Sequence, residues 1–267
     1  MPRTLTCADW RLINGELVEA LPAALVRARG NADARAIAHA DWLLRRKRDG
    51  RFLAVRRGDE VFELRRGALD PDLRDDLARL PAVDSAGEAP RPLEGLLHRL
   101  HALGLDAGEY GERSGLPLVA EPGTLAYAGR DRYRRPLWLR AVAARSWRAM
   151  QAAARADGGA LEAISGYRSH DYQWGIFRRK LARGQSVEQI LTVNAAPGFS
   201  EHHGGLALDI STPGEPAAEE SFEETPAFAW LQGHAADFGF SMSYPRGNPH
   251  GIVYEPWHWR HAGEQRG

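Results

Sequence analysis

The second half of the chain alternates between helix-like and strand-like hydrophobic patterns. From Pro136 to about Asp157, apolar residues recur every three or four positions, as on the buried face of a helix. Pro136 suits the first turn of that helix. The predicted buried face comprises Leu139, Ala143, Trp147, Met150 and Ala154. A short strand is predicted at residues 161–165, and Ser169 is a suitable cap for the helix after it.

Residues 206–210 show the period of a strand. Large apolar side chains alternate with Ala207 and Asp209, which places Asp209 on the face opposite Leu208. Two more strands are predicted at residues 240–244 and 251–254, on either side of a Pro-Arg-Gly-Asn turn.

Helices and short strands without regular βα alternation favour an α+β fold, with a central, mainly antiparallel sheet flanked by helices. A small mixed region precedes it, with a strand pair predicted around Arg57-Gly58-Asp59. Residues 82–92 are rich in Ala, Pro, Gly and acidic side chains, which predicts a linker or exposed loop. We therefore expect an amino-terminal region of unknown role at residues 1–105 and a second domain at residues 106–267.

Composition and charge argue against several classes of protein. Lys plus Arg and Asp plus Glu number 35 each, so the formal net charge is zero, and attraction of the whole protein to nucleic acid or acidic lipid is not expected. The single cysteine, Cys7, cannot form an intrachain disulfide. The sequence has no stretch of 18 apolar residues that predicts a membrane span, and its first thirty residues lack the apolar core of a secretory signal. We expect a cytoplasmic protein, or a periplasmic one if the start site is misplaced.

The candidate chemistry lies in two short segments. His202 precedes Asp209 by seven residues, and the glycine pair between them can turn the loop back onto the strand. A catalytic zinc site uses three nitrogen or carboxylate ligands and leaves a position open for water. His258 can supply the third ligand. A turn at the proline of Glu255-Pro-Trp-His258 would bring Glu255 to the same site, free to accept a proton from water.

Two spaced motifs and a third block resemble a known family. They are Ser200-x-His202-x-x-Gly205-x-Ala207-x-Asp209, then Glu255-x-x-His258, and an upstream Ser165-Gly-Tyr-Arg168-Ser block followed by Gln173. In this order and spacing, roughly residues 116–263 resemble the VanY-type D-alanyl-D-alanine carboxypeptidases, which are zinc peptidases of peptidoglycan. The resemblance implies one zinc ion per chain and a peptidoglycan-derived peptide as substrate.

The resemblance also implies roles for individual residues. The implied zinc ligands are His202, Asp209 and His258. Glu255 would be the general base, and Arg168 would stabilise the oxyanion formed from the scissile carbonyl. Gln173 and Ser200 would hydrogen-bond the region of the substrate's terminal carboxylate.

Other histidines and basic residues suit structural roles better. His203 and His261 do not fit the ligand spacing, and we expect them beside the site or on the surface. His98 and His101 have no third ligand nearby, and the leucines around them predict the buried face of a helix. Residues 45–48, Arg-Arg-Lys-Arg, suit the carboxyl end of a helix better than a site for an anionic polymer.

Three functions are compatible with these residues. The first is a zinc carboxypeptidase that removes a terminal D-alanine. The expected cytoplasmic location favours L,D-cleavage of tetrapeptides in murein recycling, with D,D-cleavage of pentapeptides as the alternative. The second is a zinc endopeptidase or amidase that cuts within the peptide. The third is a cell-wall peptide-binding module without activity, against which Glu255 argues because binding needs no base.

Overall fold

The computed structural model describes residues 10–80 and 93–263, which form two compact units. The first unit consists of residues 10–80 with 122–127, and the second of residues 93–121 with 128–263. The sheets of both units are mainly antiparallel and are accompanied by helices, which confirms the predicted α+β class. The linker predicted at residues 82–92 lies outside the described residues.

The first unit is an antiparallel sheet with two short helices. Its elements are β1 (Arg11–Asn14), β2 (Val18–Pro22), α1 (Asn31–Ile37), β3 (Trp42–Arg46), β4 (Phe52–Arg57), β5 (Glu60–Glu63), α2 (Pro71–Ala78) and the first residues of β6 (Thr124–Arg130). The strand order is β5-β4-β3-β2-β1-β6. Helix α2 is tied to the turn between β1 and β2 because the buried carboxylate of Asp76 accepts hydrogen bonds from the backbone N–H groups of Glu16, Leu17 and Val18.

Two predictions for this unit had different outcomes. The strand pair predicted around Arg57-Gly58-Asp59 is confirmed as the hairpin of β4 and β5. The helix end predicted at residues 45–48 is wrong, because residues 42–46 form β3. Leu43 and Leu44, at successive positions of β3, are both buried. Because successive side chains lie on opposite faces of a sheet, β3 is covered on both faces at these residues.

The second unit combines helices with a four-stranded sheet. After α3 (Glu94–Ala102) and α4 (Ala107–Ser114) its elements are β7 (Pro136–Leu139), α5 (Ala141–Ala156), β8 (Glu162–Ser165), α6 (His170–Leu181), α7 (Val187–Leu191), β9 (Ala207–Ser211), α8 (Pro226–His234), β10 (Phe240–Met242) and β11 (His258–His261). The strand order is β10-β11-β9-β8, and every neighbouring pair is antiparallel.

The predicted buried face of α5 is confirmed, since Trp147 and Met150 are almost completely buried. Ser169 caps α6 as predicted, accepting a hydrogen bond from the backbone of Tyr172. Leu97 is one of the leucines of α3 that were predicted to form its buried face, but it is exposed. Within the described residues, no helix combines the length and apolar character needed to cross a bilayer.

Two predicted elements are wrong. The helix expected from Pro136 begins at Ala141, and residues 136–139 form β7 instead. Leu137, Trp138 and Leu139 are all buried, and a run of buried apolar residues fits a strand covered on both faces. Residues 251–254, where a strand was expected, have irregular structure. The backbone N–H of Val253 donates to the carbonyl of Thr192, which lies in a loop and not in a sheet. The partner of β10 is β11.

Candidate metal centre and active site

The four-stranded sheet brings candidate residues from three strands into one row. Asp209 on β9 is paired with His258 on β11. On the other side of β9, Asp209 is paired with Ser165 on β8. Side chains of directly paired residues lie on the same face of a sheet. The strand register therefore places Asp209 between Ser165 and His258.

His202 reaches this row from a short 3-10 helix, Glu201–Gly204, just before β9. Gly205 ends the turn with a φ of 68°, a left-handed conformation that glycine adopts without strain. The Nδ1–H of His202 donates to the carbonyl oxygen of Gly166 at 2.7 Å. Its Nε2 therefore faces Asp209, at 3.3 Å from Oδ1.

The three residues form a compact set of possible metal ligands. One ligand atom from each of His202, Asp209 and His258 lies within 4.8 Å of the other two, and all three residues are buried. His258 Nδ1 is 3.1 Å from Asp209 Oδ1. Two imidazole nitrogens and one carboxylate oxygen are the ligand types of a catalytic metal site with an open coordination position.

A carboxylate that the sequence analysis missed supports this set. The Nε2–H of His258 donates to Glu201 Oε2 at 2.9 Å, and Glu201 also lies 3.5 Å from the guanidinium of Arg260. Each of the two histidines thus has an acceptor on the nitrogen that faces away from the cluster. Such partners fix the orientation of metal-binding imidazoles. Both the ligand atoms and the hydrogen bonds around them therefore fit a metal ion.

The charges in the cluster depend on one another. Burial acts to raise the pKa of Asp209, but His202 and His258 outweigh it and hold the pKa below its ordinary value. Burial acts to lower the pKa of His258, but hydrogen bonds to Asp209 and Glu201 raise it to about 10. His258 therefore donates from both ring nitrogens, and metal binding would displace the Nδ1 proton.

Glu255 lies beside the ligand set. A turn at Pro256 and Trp257 folds the chain back, and the backbone N–H of His258 donates to the carbonyl of Glu255. This places Glu255 Oε2 3.8 Å from His258 Nδ1. Burial raises the pKa of Glu255 to about 7. His258 acts to lower this pKa, and the negative charge of Asp209 acts to raise it. A carboxylate with a pKa near neutrality is suited to accept and return a proton.

Arg168 faces the same row of residues. Its guanidinium lies 3.4 Å from Asp209 Oδ2 and 3.4 Å from Ser165 Oγ. It also donates to Gln173 Oε1 at 3.2 Å. Gln173 is buried, and its amide donates to the carbonyl of Ala195 at 2.9 Å. Gln173 therefore holds the Arg168 side chain in place.

His203, excluded as a ligand by its spacing, is a buried support of the site. Its Nδ1–H donates to the carbonyl of Arg168 at 2.6 Å, while its Nε2 accepts the backbone N–H of Gly198 at 3.0 Å. Burial lowers the pKa of His203 well below its ordinary value, which keeps the ring neutral. The contacts connect the Arg168 backbone to the loop that leads to Ser200, which is itself buried.

Two more residues complete the surroundings. Tyr244 packs against His258 with ring centroids 4.7 Å apart, and burial together with the carboxylates of Glu201 and Glu255 raises the pKa of its hydroxyl. His261 lies on β11 and bonds to Ser146 Oγ at 3.0 Å, outside the ligand set. Neither contact follows from sequence spacing.

Two histidines and an aspartate gathered at one face of an antiparallel sheet, two of them on its strands and His202 on the 3-10 helix before β9, define with the neighbouring glutamate a candidate metallohydrolase centre. The model of the family VanY, D-alanyl-D-alanine carboxypeptidase, matches residues 136–264. This segment of the chain belongs to the VanY family. Every residue of the site described above lies within the matched segment.

Individual relatives match the same part of the chain. The Bacillus subtilis protein YodJ is 38% identical over 132 residues, which are 48% of each protein. A D-alanyl-D-alanine carboxypeptidase of Enterococcus faecalis is 35% identical over 121 residues, 42% of this chain and 43% of the relative. The matched segment thus spans less than half the length of either relative.

Among solved structures, the chain is similar to the vancomycin-resistance D,D-pentapeptidase VanY of a VanB-type cassette, in complex with Zn(II). The identity is 31%, the match covers 48% of this chain and 74% of that one, and the TM-score is 0.41.

Proposed function

We propose that this protein is a zinc-dependent carboxypeptidase that hydrolyses the bond to a C-terminal D-alanine in peptidoglycan peptides. The observation that carries the proposal is the arrangement of His202, Asp209 and His258, with Glu255 held next to them and outside the set. Membership of the VanY family and the name of the E. faecalis relative support the choice of substrate.

The donor set favours zinc. Zinc accepts imidazole nitrogen and carboxylate oxygen together, and its catalytic sites combine three protein ligands with an open position. The atoms that would bind it are His202 Nε2, His258 Nδ1 and a carboxylate oxygen of Asp209. Bound zinc would supply a Lewis acid that polarises the scissile carbonyl and makes a nearby water more acidic.

Glu255 performs the proton transfers. Its carboxylate takes one proton from the attacking water as the oxygen–carbon bond forms. It returns that proton to the amine nitrogen of the leaving D-alanine as the carbon–nitrogen bond breaks. Burial supports this cycle because it raises the pKa of Glu255 to about 7, where gain and loss of a proton are both accessible.

Arg168 stabilises the negative charge that develops on the carbonyl oxygen. Its guanidinium is fixed by Gln173 and Ser165 at the edge of the ligand set, and a preorganised cation is most effective where charge appears only in the transition state. Ser200 and Gln173 are the proposed donors for the region of the substrate's terminal carboxylate. Gln173 would bind the carboxylate in addition to its hydrogen bonds with Arg168 and Ala195.

Product analysis tests the proposal. Purified protein is incubated with muropeptides that end in D-Ala-D-Ala or in a single D-Ala, and the products are identified by mass. We expect release of one D-alanine. We expect higher kcat/KM for the tetrapeptide, by about 1–3 kcal/mol in transition-state free energy, because a mismatch in one subsite is worth no more. Protein carrying Glu255→Gln controls for contaminating peptidases. An internal cut, or no D-alanine from either peptide, would contradict the proposed activity.

Glu201 is expected to support metal binding without being a ligand. Because it accepts the Nε2–H of His258, Glu201→Ala should weaken zinc affinity by about 10- to 100-fold, the range seen for partners of metal-binding histidines. Glu201→Gln keeps an acceptor oxygen and should recover most of that loss. Competition with a chelating dye measures both without relying on turnover. Equal zinc affinity in wild type and Glu201→Ala would refute this role.

A further inference from the structure

The first unit contains a cleft with an unusual concentration of positive charge. The cavity has a volume of about 560 Å³. Five of the residues that line it are arginines: Arg29, Arg46, Arg51, Arg65 and Arg66. The acidic residues of the lining are Asp33 and Asp70. The proposed carboxypeptidase activity makes no use of this cleft.

Part of this charge is already neutralised. Arg46 is paired with Asp49, its Nε 3.0 Å from Oδ1. The carboxylate of Asp70 caps α2 by accepting the backbone N–H of Leu73 at 2.9 Å. No ion pair with a carboxylate of the described residues involves the other four arginines of the lining. Four arginines of the lining therefore have no such pair, and they outnumber the two negative charges of Asp33 and Asp70.

These four exposed arginines line the cleft from separate segments. Arg29 precedes α1, and its guanidinium lies over the ring of Phe52, 4.2 Å from the centroid. Arg51 precedes β4. Arg65 and Arg66 follow β5 and lead into Gly67, which has a positive φ of 73°. Like charges around one cleft repel one another, so an anion bound among these exposed side chains would relieve that repulsion.

We propose that this cleft binds a small ligand through a diphosphate group. Arginine recognises phosphate oxygens through paired N–H donors, which gives both geometry and strength. Four guanidinium groups exceed what one phosphate can engage and match the several oxygens and charges of a diphosphate. The cavity has the size of a small-molecule site. The zero net charge of the chain argues against general attraction to long polyanions.

Isothermal titration of the full-length protein with inorganic pyrophosphate tests the proposal, in a phosphate-free buffer of low ionic strength. We expect saturable binding of one pyrophosphate per chain, at least about tenfold tighter than binding of inorganic phosphate. The double variant Arg65→Gln with Arg66→Gln should lose at least about tenfold in affinity, since each lost bond involves a charged group. Arg29→Gln should weaken binding in the same direction.

Arg35→Gln is the matched control. Arg35 is an exposed arginine on α1 that does not line the cleft, so its replacement should leave pyrophosphate affinity unchanged. If pyrophosphate bound to the zinc ion instead of the cleft, all variants would give the same titration curve. A nucleoside diphosphate and a prenyl diphosphate, titrated in the same way, distinguish the two sources of the group, and the proposal requires one of them to bind as tightly as pyrophosphate. Unchanged affinity in the double variant, or an equal loss in Arg35→Gln, would overturn it.

Discussion

Glu255→Gln should lower kcat by at least ~100-fold while zinc stays bound, the loss expected when a general base is removed. Glutamine has the size of glutamate but does not accept a proton from water. Glu255 Oε2 is 3.8 Å from His258 Nδ1, beside the ligand set. Binding of metal and chemistry should therefore separate. The measurements are steady-state D-alanine release and zinc content per chain.

Glu162→Gln is a suitable control for this substitution. Glu162 lies on β8 of the same sheet, 3.8 Å from Arg132, and takes no part in the site. The control variant should keep both zinc and turnover. If Glu255→Gln loses zinc together with activity, Glu255 is a ligand or a structural support rather than the base.

Removing any one ligand should have an even larger effect. His202→Ala, Asp209→Ala and His258→Ala each delete one of the three proposed protein ligands, so each should abolish activity and release zinc during dialysis. Asp209→Ala also leaves the guanidinium of Arg168 without its carboxylate partner. We therefore expect this variant to be the least stable of the three, since loss of the carboxylate leaves a partly buried guanidinium without its ion-pair partner.

Metal content, D-alanine release and circular dichroism of each purified variant check this prediction. His98→Ala serves as a control, because His98 is an exposed residue of α3 outside the ligand set. It should retain zinc and activity. Full zinc occupancy in folded variants of all three ligands would show that the metal binds elsewhere.

Local patterns predicted much of the fold of the second unit. The period of two around Asp209 correctly predicted β9, and a serine before an apolar helical pattern correctly predicted the cap of α6. Both signals depend on a few neighbouring residues. The predicted start of the helix at Pro136 was wrong. Leu139 continues the spacing of the buried face of α5, but it is buried as part of β7. Tertiary burial overrode the local pattern there.

The site could be predicted only in part. The residue types and spacing of His202 and Asp209 indicated a metal ligand pair, and the motif indicated His258. The pairing of Asp209 with His258 across β9 and β11 is a long-range contact that spacing does not encode. Glu201 was missed for the same reason, since its partner lies 57 residues away. Supporting contacts depend on strand register, which a single sequence leaves open.

Anomalous X-ray diffraction on either side of the zinc absorption edge would show directly whether His202, Asp209 and His258 hold a zinc ion. We expect one zinc peak per chain in crystals of zinc-loaded protein. The peak should lie about 2.0–2.2 Å from His202 Nε2, His258 Nδ1 and an oxygen of Asp209. A peak at other residues, or no peak at this cluster, would show that these three residues are not the zinc ligands.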